Sequence, residues 1–377
     1  MKRIVAVLLV IVLAVSVFCA VLFIPRPSVE DEFYFGVSLG PETVDESKVM
    51  IDKVKDYTNL FLINSWTIAT DEALLNETCD YARQAGLKFM VYFDLISRVA
   101  YRFHQNWLGN ASKDWGDSFL GIHLRDEMGG RQIDDDSINK TVAEAADYSD
   151  AANRFIANIT SSNSMTDAKS KDLHLFISDY ALYWWDYLAG YDTVLVELGW
   201  YHNTTQHIAL CRGAANMQGK DWGAIIVWRS YDAPYLGSGE EIYADMITAY
   251  RAGAKYVIVF NFPTYPEGNP YGILQDDHFD AMQQFWDYVQ THPRDANERI
   301  DGKVAFVLPK DYGWGMRSKT DNIWGLWPAD EKAAVIWENM NKLITKYGLT
   351  LDIVYDDERF DVAAKYNTVY NWNATID

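Results

Sequence analysis

Two glutamates at the ends of strand-like segments are the best-placed residues in this sequence for acid–base chemistry. Glu127 ends the segment Phe119–Glu127, and Glu197 lies near the end of Thr193–Gly199. Two carboxyl groups facing one cleft can divide the work of hydrolysis, because one stays protonated as an acid while the other attacks or activates water. Apolar neighbours raise the pKa of the acid, and a nearby arginine keeps the other group ionised. The sequence does not assign the two roles.

Asp126 is the alternative to Glu127, because it takes the reactive position if the strand ends one residue earlier. A metal site made by His123, Asp126 and Glu127 is disfavoured, since side chains on opposite faces of a strand converge only at a bulge and no His-x-x-x-His pair is present. A serine nucleophile is disfavoured by the lack of a Gly-x-Ser-x-Gly motif. The sequence therefore predicts a site without metal or cofactor.

Eight rounds of strand-like and helix-like segments follow one another between residues 31 and 296, and they predict a closed (β/α)8 barrel. No Gly-x-Gly-x-x-Gly turn follows the first strand, which argues against a dinucleotide-binding sheet. The predicted strands are Phe33–Leu39, Asn59–Asn64, Leu87–Asp94, Phe119–Glu127, Leu173–Asp179, Thr193–Gly199, Gly223–Arg229 and Tyr256–Phe262.

Alternation along each strand predicts which side chains point into the barrel, because the apolar set must face the helices. In the fourth strand this rule turns Leu120 outward and places Arg125 and Glu127 inside. The polar and aromatic residues collect at the carboxyl ends of the strands, where barrel enzymes carry their active sites. The predicted substrate-binding residues are Asn64, Tyr92, Asp94, Arg125, Tyr180, Trp200, Tyr201, Trp228, Arg229 and Asn261.

Both ends of the chain differ from the barrel. Lys2 and Arg3 precede an apolar run from Ile4 to Ile24, which predicts a transmembrane anchor within residues 1–27 and an extracellular location for the rest. A cleaved signal peptide is the alternative reading. Residues 300–377 predict a small parallel α/β domain, with strands at Lys303–Leu308, Leu351–Tyr355 and Thr368–Trp372.

Composition narrows the class of ligand. The formal net charge is −20, which argues against nucleic acid and anionic lipid headgroups as partners, because like charges repel. The chain contains 14 Trp, 24 Tyr and 17 Phe, and such rings stack on the C–H faces of sugars as well as in protein cores. The three cysteines form neither a disulfide framework nor a metal-binding spacing. A neutral carbohydrate is the expected substrate.

The segments Gly121-Ile-His-Leu-Arg-Asp-Glu-Met-Gly-Gly130 and Val194-Leu-Val-Glu-Leu-Gly-Trp200 resemble strand ends of the glycoside hydrolase barrel superfamily. Several families of that superfamily carry catalytic carboxylates after the fourth and sixth strands. The trailing domain is similar to the amidotransferase-like domain that follows the barrel in some β-galactosidases. The resemblance implies a membrane-anchored extracellular glycoside hydrolase. A non-catalytic glycan-binding or cell-envelope protein on the same fold is the alternative.

Overall fold

The computed structural model describes residues 32–93, 103–136, 140–262, 268–294 and 299–376. Residues Phe33–Asp377 group into one compact unit. The anchor predicted within residues 1–27 lies outside the described residues. Within the described ranges, no helix has both the length and the apolar character needed to cross a membrane.

Eight parallel strands close into a barrel in chain order, with the eighth strand bonded to the first. This confirms the predicted (β/α)8 barrel, whose strand carboxyl ends all open on one face. The strands are β1 (Tyr34–Leu39), β2 (Leu60–Ile63), β3 (Lys88–Phe93), β4 (Phe119–Asp126), β5 (Leu175–Asp179), β6 (Thr193–Leu198), β7 (Asp221–Ile226) and β8 (Tyr256–Asn261).

Helices connect the strands and cover the outside of the barrel. Several begin at a side chain that accepts a backbone N–H of the first turn, as Thr43 does for the first helix and Asp71 for the third. The helices are α1 (Val44–Val54), α2 (Trp66–Ala69), α3 (Glu72–Gln84), α4 (His104–Trp115), α5 (Met128–Asp134), α6 (Tyr148–Thr160), α7 (Asn163–Lys169), α8 (Tyr183–Ala189), α9 (Thr204–Gln218), α10 (Gly239–Arg251) and α11 (Asp276–Thr291).

The apolar core has two parts, separated by the wall of the barrel. A large cluster fills the space between strands and helices, as the outward-facing alternate residues require. A smaller cluster fills the barrel interior and includes Tyr34, Leu62, Phe176, Leu195 and Ile258. Because side chains plug the interior, a ligand can enter only above this plug, at the carboxyl ends of the strands.

A bulge near the end of β4 shifts the phase of its side chains. Opposite β5, His123 pairs with Phe176, and the next pair joins Asp126 to Ser178, so β4 contains one residue more than β5 over this stretch. Arg125 lies within the extra stretch and adopts the left-handed region, with φ at 66°. Residues beyond the bulge therefore no longer follow the alternation set by the start of the strand.

A second irregularity lies at the start of β4. Opposite β3, Phe89 pairs with Phe119 and Met90 pairs with Gly121, which leaves Leu120 as the extra residue. Leu120 packs against the interior cluster instead of the helices. The prediction that Leu120 faces outward is wrong, because the bulge rotates it out of the alternation followed by Ile122 and the residues after it.

A separate three-stranded parallel sheet follows the barrel in the chain. Its strand order is β10-β9-β11, and its strands lie close to where the sequence predicted them. The elements are β9 (Val304–Leu308), α12 (Glu331–Tyr347), β10 (Leu351–Tyr355), α13 (Val362–Lys365) and β11 (Thr368–Asn371).

The connection between β9 and α12 packs against α5, the helix that begins directly after Glu127. Arg317 in this connection donates two hydrogen bonds of 2.7 Å to the carboxylate of Asp134 on α5. The Gln132 side chain, also on α5, donates to the carbonyl of the buried Trp324 at 2.8 Å. The C-terminal region thus supports a helix at the mouth of the barrel.

A buried ion pair joins the barrel to the three-stranded sheet. Arg212 on α9 donates to the Asp352 carboxylate of β10 at 2.7 Å, and the two side chains are 3% and 0% exposed. The same guanidinium donates to the backbone carbonyls of Ile300 and Leu351 at 2.9 and 3.1 Å. Since burial of an unpaired charge is strongly unfavourable, each partner depends on the other.

Replacing Arg212 by methionine is expected to lower the free energy of unfolding by about 3–5 kcal/mol, because it leaves the Asp352 carboxylate buried without its cation. Urea denaturation followed by circular dichroism measures the change. Arg154→Met is the matched control, since Arg154 pairs with Asp150 on an exposed helix face, where such a pair is worth about 0.5 kcal/mol. Equal effects of the two substitutions would contradict the structural importance of the buried pair.

Candidate functional site

A cavity of about 400 Å³ opens at the carboxyl ends of the barrel strands, above the interior plug. Polar side chains lie on the β4, β5 and β6 side, and aromatic side chains lie on the β6, β7 and β8 side. The lining residues are Leu62, Asn64, His123, Asp126, Glu127, Ser178, Glu197, Trp200, Ile225, Val227, Trp228, Tyr231, Phe260 and Phe262. This is the position at which barrel enzymes bind their ligands.

Three carboxyl groups converge in this cavity. Asp126, Glu127 and Glu197 each supply an oxygen atom, and the three oxygens lie within 4.8 Å of one another. Among the described residues that line the cavity, none is lysine or arginine. We call these three residues the carboxylate cluster.

The β4 bulge is what brings two consecutive acidic residues into one cavity. Glu127 adopts the left-handed conformation (φ 52°, ψ 37°), and its N–H donates to the Ser178 carbonyl at 2.9 Å. Asp126 pairs with Ser178 across the bulge. The sequence argument against a metal rested on the need for such a bulge, and the structure supplies it.

The polar groups described beside the carboxylate cluster are a hydroxyl, a neutral imidazole and a largely exposed guanidinium. The Ser178 hydroxyl donates to the Asp126 carboxylate, and His123 Nε2 lies 3.1 Å from the same hydroxyl oxygen. Burial lowers the pKa of His123 to about 3, so its imidazole is neutral. Arg131 on α5 attracts the charge of Glu127, but its side chain is 59% exposed and lies 3.9 Å from the Asp135 carboxylate.

Burial and mutual repulsion raise the affinity of the carboxylate cluster for protons and for cations. Burial, followed by the charge of Asp126, raises the pKa of Glu127 from 4.5 to about 7. Burial also raises the pKa of Glu197 well above its ordinary value, and the charges of Asp126 and Glu127 add to the effect. At neutral pH the cluster therefore holds at least one proton unless a cation takes its place.

Aromatic rings form the opposite side of the cavity, and we call Trp200, Trp228, Tyr231, Phe260 and Phe262 the aromatic wall. Trp228 is its centre, with ring centroids 6.0 Å from Tyr231, 5.7 Å from Phe260 and 5.9 Å from Phe262. The rings of Trp200 and Tyr231 lie 5.1 Å apart. Tyr231 is 77% exposed, so the wall extends from the cavity to the surface.

The predicted substrate-binding residues divide into those that line the cavity and those that lie beside it. Asn64, Trp200 and Trp228 line it together with the carboxylate cluster. Tyr92 lies inside the barrel, with its ring 5.3 Å from that of His123. The predicted residue Asp94 lies outside the described residues.

Three further predicted residues lie at the edge of the site, outside the cavity lining. Arg229 binds the carboxylates of Asp245 and Glu241 at 2.5 and 3.1 Å, so its charge is already neutralised. Tyr201 is 74% exposed and packs its ring over the Arg229 guanidinium. The Tyr180 hydroxyl donates to Asp134 at 2.9 Å.

Two predicted residues point away from the cavity. Arg125 is not among the lining residues, because the bulge turns it out of phase; its Nη1 lies 4.0 Å from the sulfur of Met128. The Asn261 side chain binds the backbone of Tyr271 and Ile273 at 3.0 Å in both contacts. Both alternate sets of side chains in β8 are apolar, so alternation along the strand could not predict whether Asn261 points inward or outward.

Sequence reasoning missed three members of the aromatic wall. Phe260 and Phe262 belong to the alternate set of β8 that points inward, and Tyr231 lies in the loop after β7. The inward position of Phe260 follows from its register with Ser38 of β1, which is a pairing that no single strand reveals.

Comparison with known proteins identifies no family for this chain. No protein-family model matches it, and no curated protein matches it. Among solved structures it is similar to a truncated 3-deoxy-D-arabino-heptulosonate 7-phosphate synthase from Thermotoga maritima, at 10% identity, covering 68% of this chain and 87% of that one, with a TM-score of 0.38.

Two other similar structures are an HpcH/HpaI aldolase from Desulfitobacterium hafniense DCB-2 and a 3-hexulose-6-phosphate synthase. The aldolase has 13% identity, covers 63% of this chain and 90% of its own, and gives a TM-score of 0.34. The synthase has 10% identity, covers 67% and 99%, and gives a TM-score of 0.36. At these values the structures share a barrel with this chain, and their activities do not transfer to it.

The prediction of a glycoside hydrolase is corrected by these comparisons, because the similar solved structures are synthases, an aldolase and a decarboxylase rather than glycoside hydrolases. The cavity also holds three converging carboxyl groups rather than the pair that glycoside hydrolysis uses. The anchor predicted within residues 1–27 lies outside the described residues and stays a prediction.

Glu127→Gln is expected to stabilise the metal-free protein at about pH 8 and to lose this advantage towards about pH 5. The folded-state pKa of about 7 lies above the ordinary 4.5, so the wild type loses stability as pH rises through this interval, and the glutamine does not. Urea denaturation in a chelator, at both pH values, measures the difference. Glu240→Gln, an exposed carboxylate of α10, is the control. A pH-independent difference for Glu127→Gln would contradict the burial of its charge.

Proposed function

We propose that this protein is a divalent-cation-dependent enzyme that binds its metal at the carboxylate cluster. The observation that carries the proposal is the convergence of three carboxylate oxygens within 4.8 Å in a cavity whose described lining has no basic side chain. A cation of charge two would offset the repulsion that raises the pKa values of Glu127 and Glu197.

The ligand set favours a hard cation such as Mg²⁺ or Mn²⁺. Carboxylate oxygens are the ligands that these ions prefer, and water or substrate oxygens complete an octahedral shell. No cysteine is among the described lining residues, and the Nε2 of His123 lies against the Ser178 hydroxyl, which argues against a soft-metal site. The Ser178 hydroxyl, which donates to Asp126, orients that carboxylate towards the cluster.

The same cavity favours a neutral, hydroxyl-rich substrate, and a carbohydrate is the class we propose. The aromatic wall offers ring faces on which C–H groups stack, while the cluster lies across a space of about 400 Å³. The described lining contains no lysine or arginine that would bind a phosphate group directly. A bound cation would polarise a substrate oxygen as a Lewis acid. The chain's own part is to hold the ring against Trp228 and to exclude water around it.

Metal-free wild-type protein is expected to bind Mn²⁺ saturably, with one ion per chain, and Glu197→Gln is expected to weaken binding by at least about tenfold, or about 1.4 kcal/mol. The glutamine removes a charged ligand at the most buried position of the cluster. Isothermal titration calorimetry and the electron paramagnetic resonance of free Mn²⁺ measure the affinity.

The matched control for this titration is Asp232→Asn, which removes one negative charge from an exposed position in the loop after β7. It is expected to leave the Mn²⁺ affinity unchanged within about twofold, because surface charges are screened by salt. Absence of saturable binding by the wild type would overturn the proposal and leave the cluster as carboxyl groups that share protons.

A panel of neutral monosaccharides and disaccharides tests the substrate class. With Mn²⁺ at the cluster, the proton relaxation rates of a bound sugar are expected to rise, and Trp228→Ala is expected to reduce the effect by weakening stacking by about 1 kcal/mol. Exposed Trp66 on α2 lies outside the cavity lining, so Trp66→Ala is the control. A response from sugar phosphates alone would contradict a neutral substrate.

Two expectations from the sequence stay predictions. One is an extracellular location for the bulk of the chain, which rests on residues 1–27. The other is the amidotransferase-like character of residues 300–377, which rests on resemblance.

A further inference from the structure

Asp179, the last residue of β5, uses its buried carboxylate to bind two different loops. It is 0% exposed, and it accepts backbone N–H groups of Gly129 and Gly130 at 2.5 and 2.8 Å. It also accepts those of Tyr180 and Ala181 at 2.7 and 3.0 Å. The first two groups belong to the chain after β4, and the other two belong to the chain after β5.

These contacts fix the backbone on the far side of Glu127. On its near side, the Glu127 N–H donates to the Ser178 carbonyl at 2.9 Å. On its far side, Gly129 and Gly130 are held by Asp179 within the first turn of α5. A left-handed residue such as Glu127 is strained and persists only where its surroundings define it. The side chain of Glu127 therefore takes its direction from two anchors of its backbone.

The paired glycines are required by the closeness of this contact. A Cβ atom on Gly129 would lie 2.3 Å from the Ala181 carbonyl oxygen, and one on Gly130 would lie 2.1 Å from the Tyr180 ring. Neither distance allows a side chain. Gly129-Gly130 thus lets the chain after β4 approach β5 closely enough for the Asp179 carboxylate to reach it.

The choice of a carboxylate at this position is costly for stability. Burial raises the pKa of Asp179 to about 7, and backbone N–H groups of Gly129, Ala181 and Gly130 offset part of this rise. An asparagine would turn its amide N–H₂ towards one of the donors and lose that hydrogen bond. Only a carboxylate offers acceptors on both oxygens, and both are used here.

We infer that Asp179 is a positioning residue for the carboxylate cluster, holding Glu127 where its oxygen meets those of Asp126 and Glu197. The inference rests on the proposed metal site for its functional meaning. It assigns a role to a buried acid that does not line the cavity, and it explains why the glycine pair follows the cluster in the sequence.

A nearby acid provides a matched control. Asp186 on α8 is also 0% exposed, and neither of its carboxyl oxygens has a hydrogen-bond partner among the described residues. Its charge interacts with that of Asp179, but its carboxyl oxygens make no hydrogen bond to Gly129 or Gly130. Asp186→Asn therefore removes a buried acid from the same region without releasing Gly129 or Gly130.

The experiment compares the full-length wild type with Asp179→Ala, Asp179→Asn and Asp186→Asn. Mn²⁺ affinity is expected to fall by at least about tenfold in Asp179→Ala, to fall less in Asp179→Asn, and to stay within about twofold in Asp186→Asn. Hydrogen–deuterium exchange is expected to accelerate at the Gly129 and Gly130 amides in both Asp179 variants and to stay unchanged at the amides of β6.

The two readouts separate this inference from the proposed function. If the wild type binds no Mn²⁺, the proposed function fails, and exchange at Gly129 and Gly130 still decides the positioning role. If the wild type binds Mn²⁺ and the folded Asp179 variants bind it equally well, the positioning role is overturned while the metal site stands. If Asp179→Ala does not fold, the Mn²⁺ affinity and amide exchange of Asp179→Asn decide the positioning role. The side-chain oxygen that remains in Asp179→Asn keeps part of the contact with the backbone N–H groups.

Discussion

One extra residue in β4 determines the character of the site. The backbone bulge between His123 and Asp126 lets two adjacent acidic residues, Asp126 and Glu127, reach the cavity from one strand. A regular strand would send one of them towards the helices, and the cavity would then hold two carboxyl groups instead of three. Bulges often occur beside active sites because they redirect side chains in this way.

The electrostatics of the cavity follow from that backbone feature. Three acids on a surface would repel one another weakly, since water and salt screen them. Here Glu197 is only 4% exposed, His123 is neutral, and Arg229 at the edge of the site is paired with Asp245. The cavity therefore combines negative charge on one side with aromatic surface on the other, and this asymmetry sets the orientation of any ligand that binds there.

The barrel could be predicted because each strand carries its own periodic signal. Eight apolar segments at regular spacing, several preceded by a glycine such as Gly86 at a helix end, indicate repeated strand–helix units. The positions of Glu127 and Glu197 at strand ends followed from the same pattern. Periodicity cannot reveal a bulge, because it assumes the alternation that a bulge interrupts.

Two of the wrong sequence predictions share this cause. Leu120 and Arg125 both lie at irregular points of β4, and their faces were assigned by extending a regular pattern through them. The prediction that Asn261 points into the barrel was wrong for a different reason, since β8 is apolar on both faces and alternation could not assign its direction. The interaction between Asp179 and the glycine pair joins positions about 50 residues apart, and such a contact has no local signature.

The ion pair between Arg212 and Asp352 has a consequence for how this protein can be divided. The sequence places a domain boundary near residues 296–300, yet α9, which leads away from the strand bearing Glu197, donates its guanidinium across that boundary into β10. A fragment cut there would lose the Asp352 carboxylate that pairs with Arg212 and the carbonyls of Leu349 and Leu351 that its guanidinium binds. We therefore expect the barrel to need the three-stranded sheet for its stability, so the two should be expressed together.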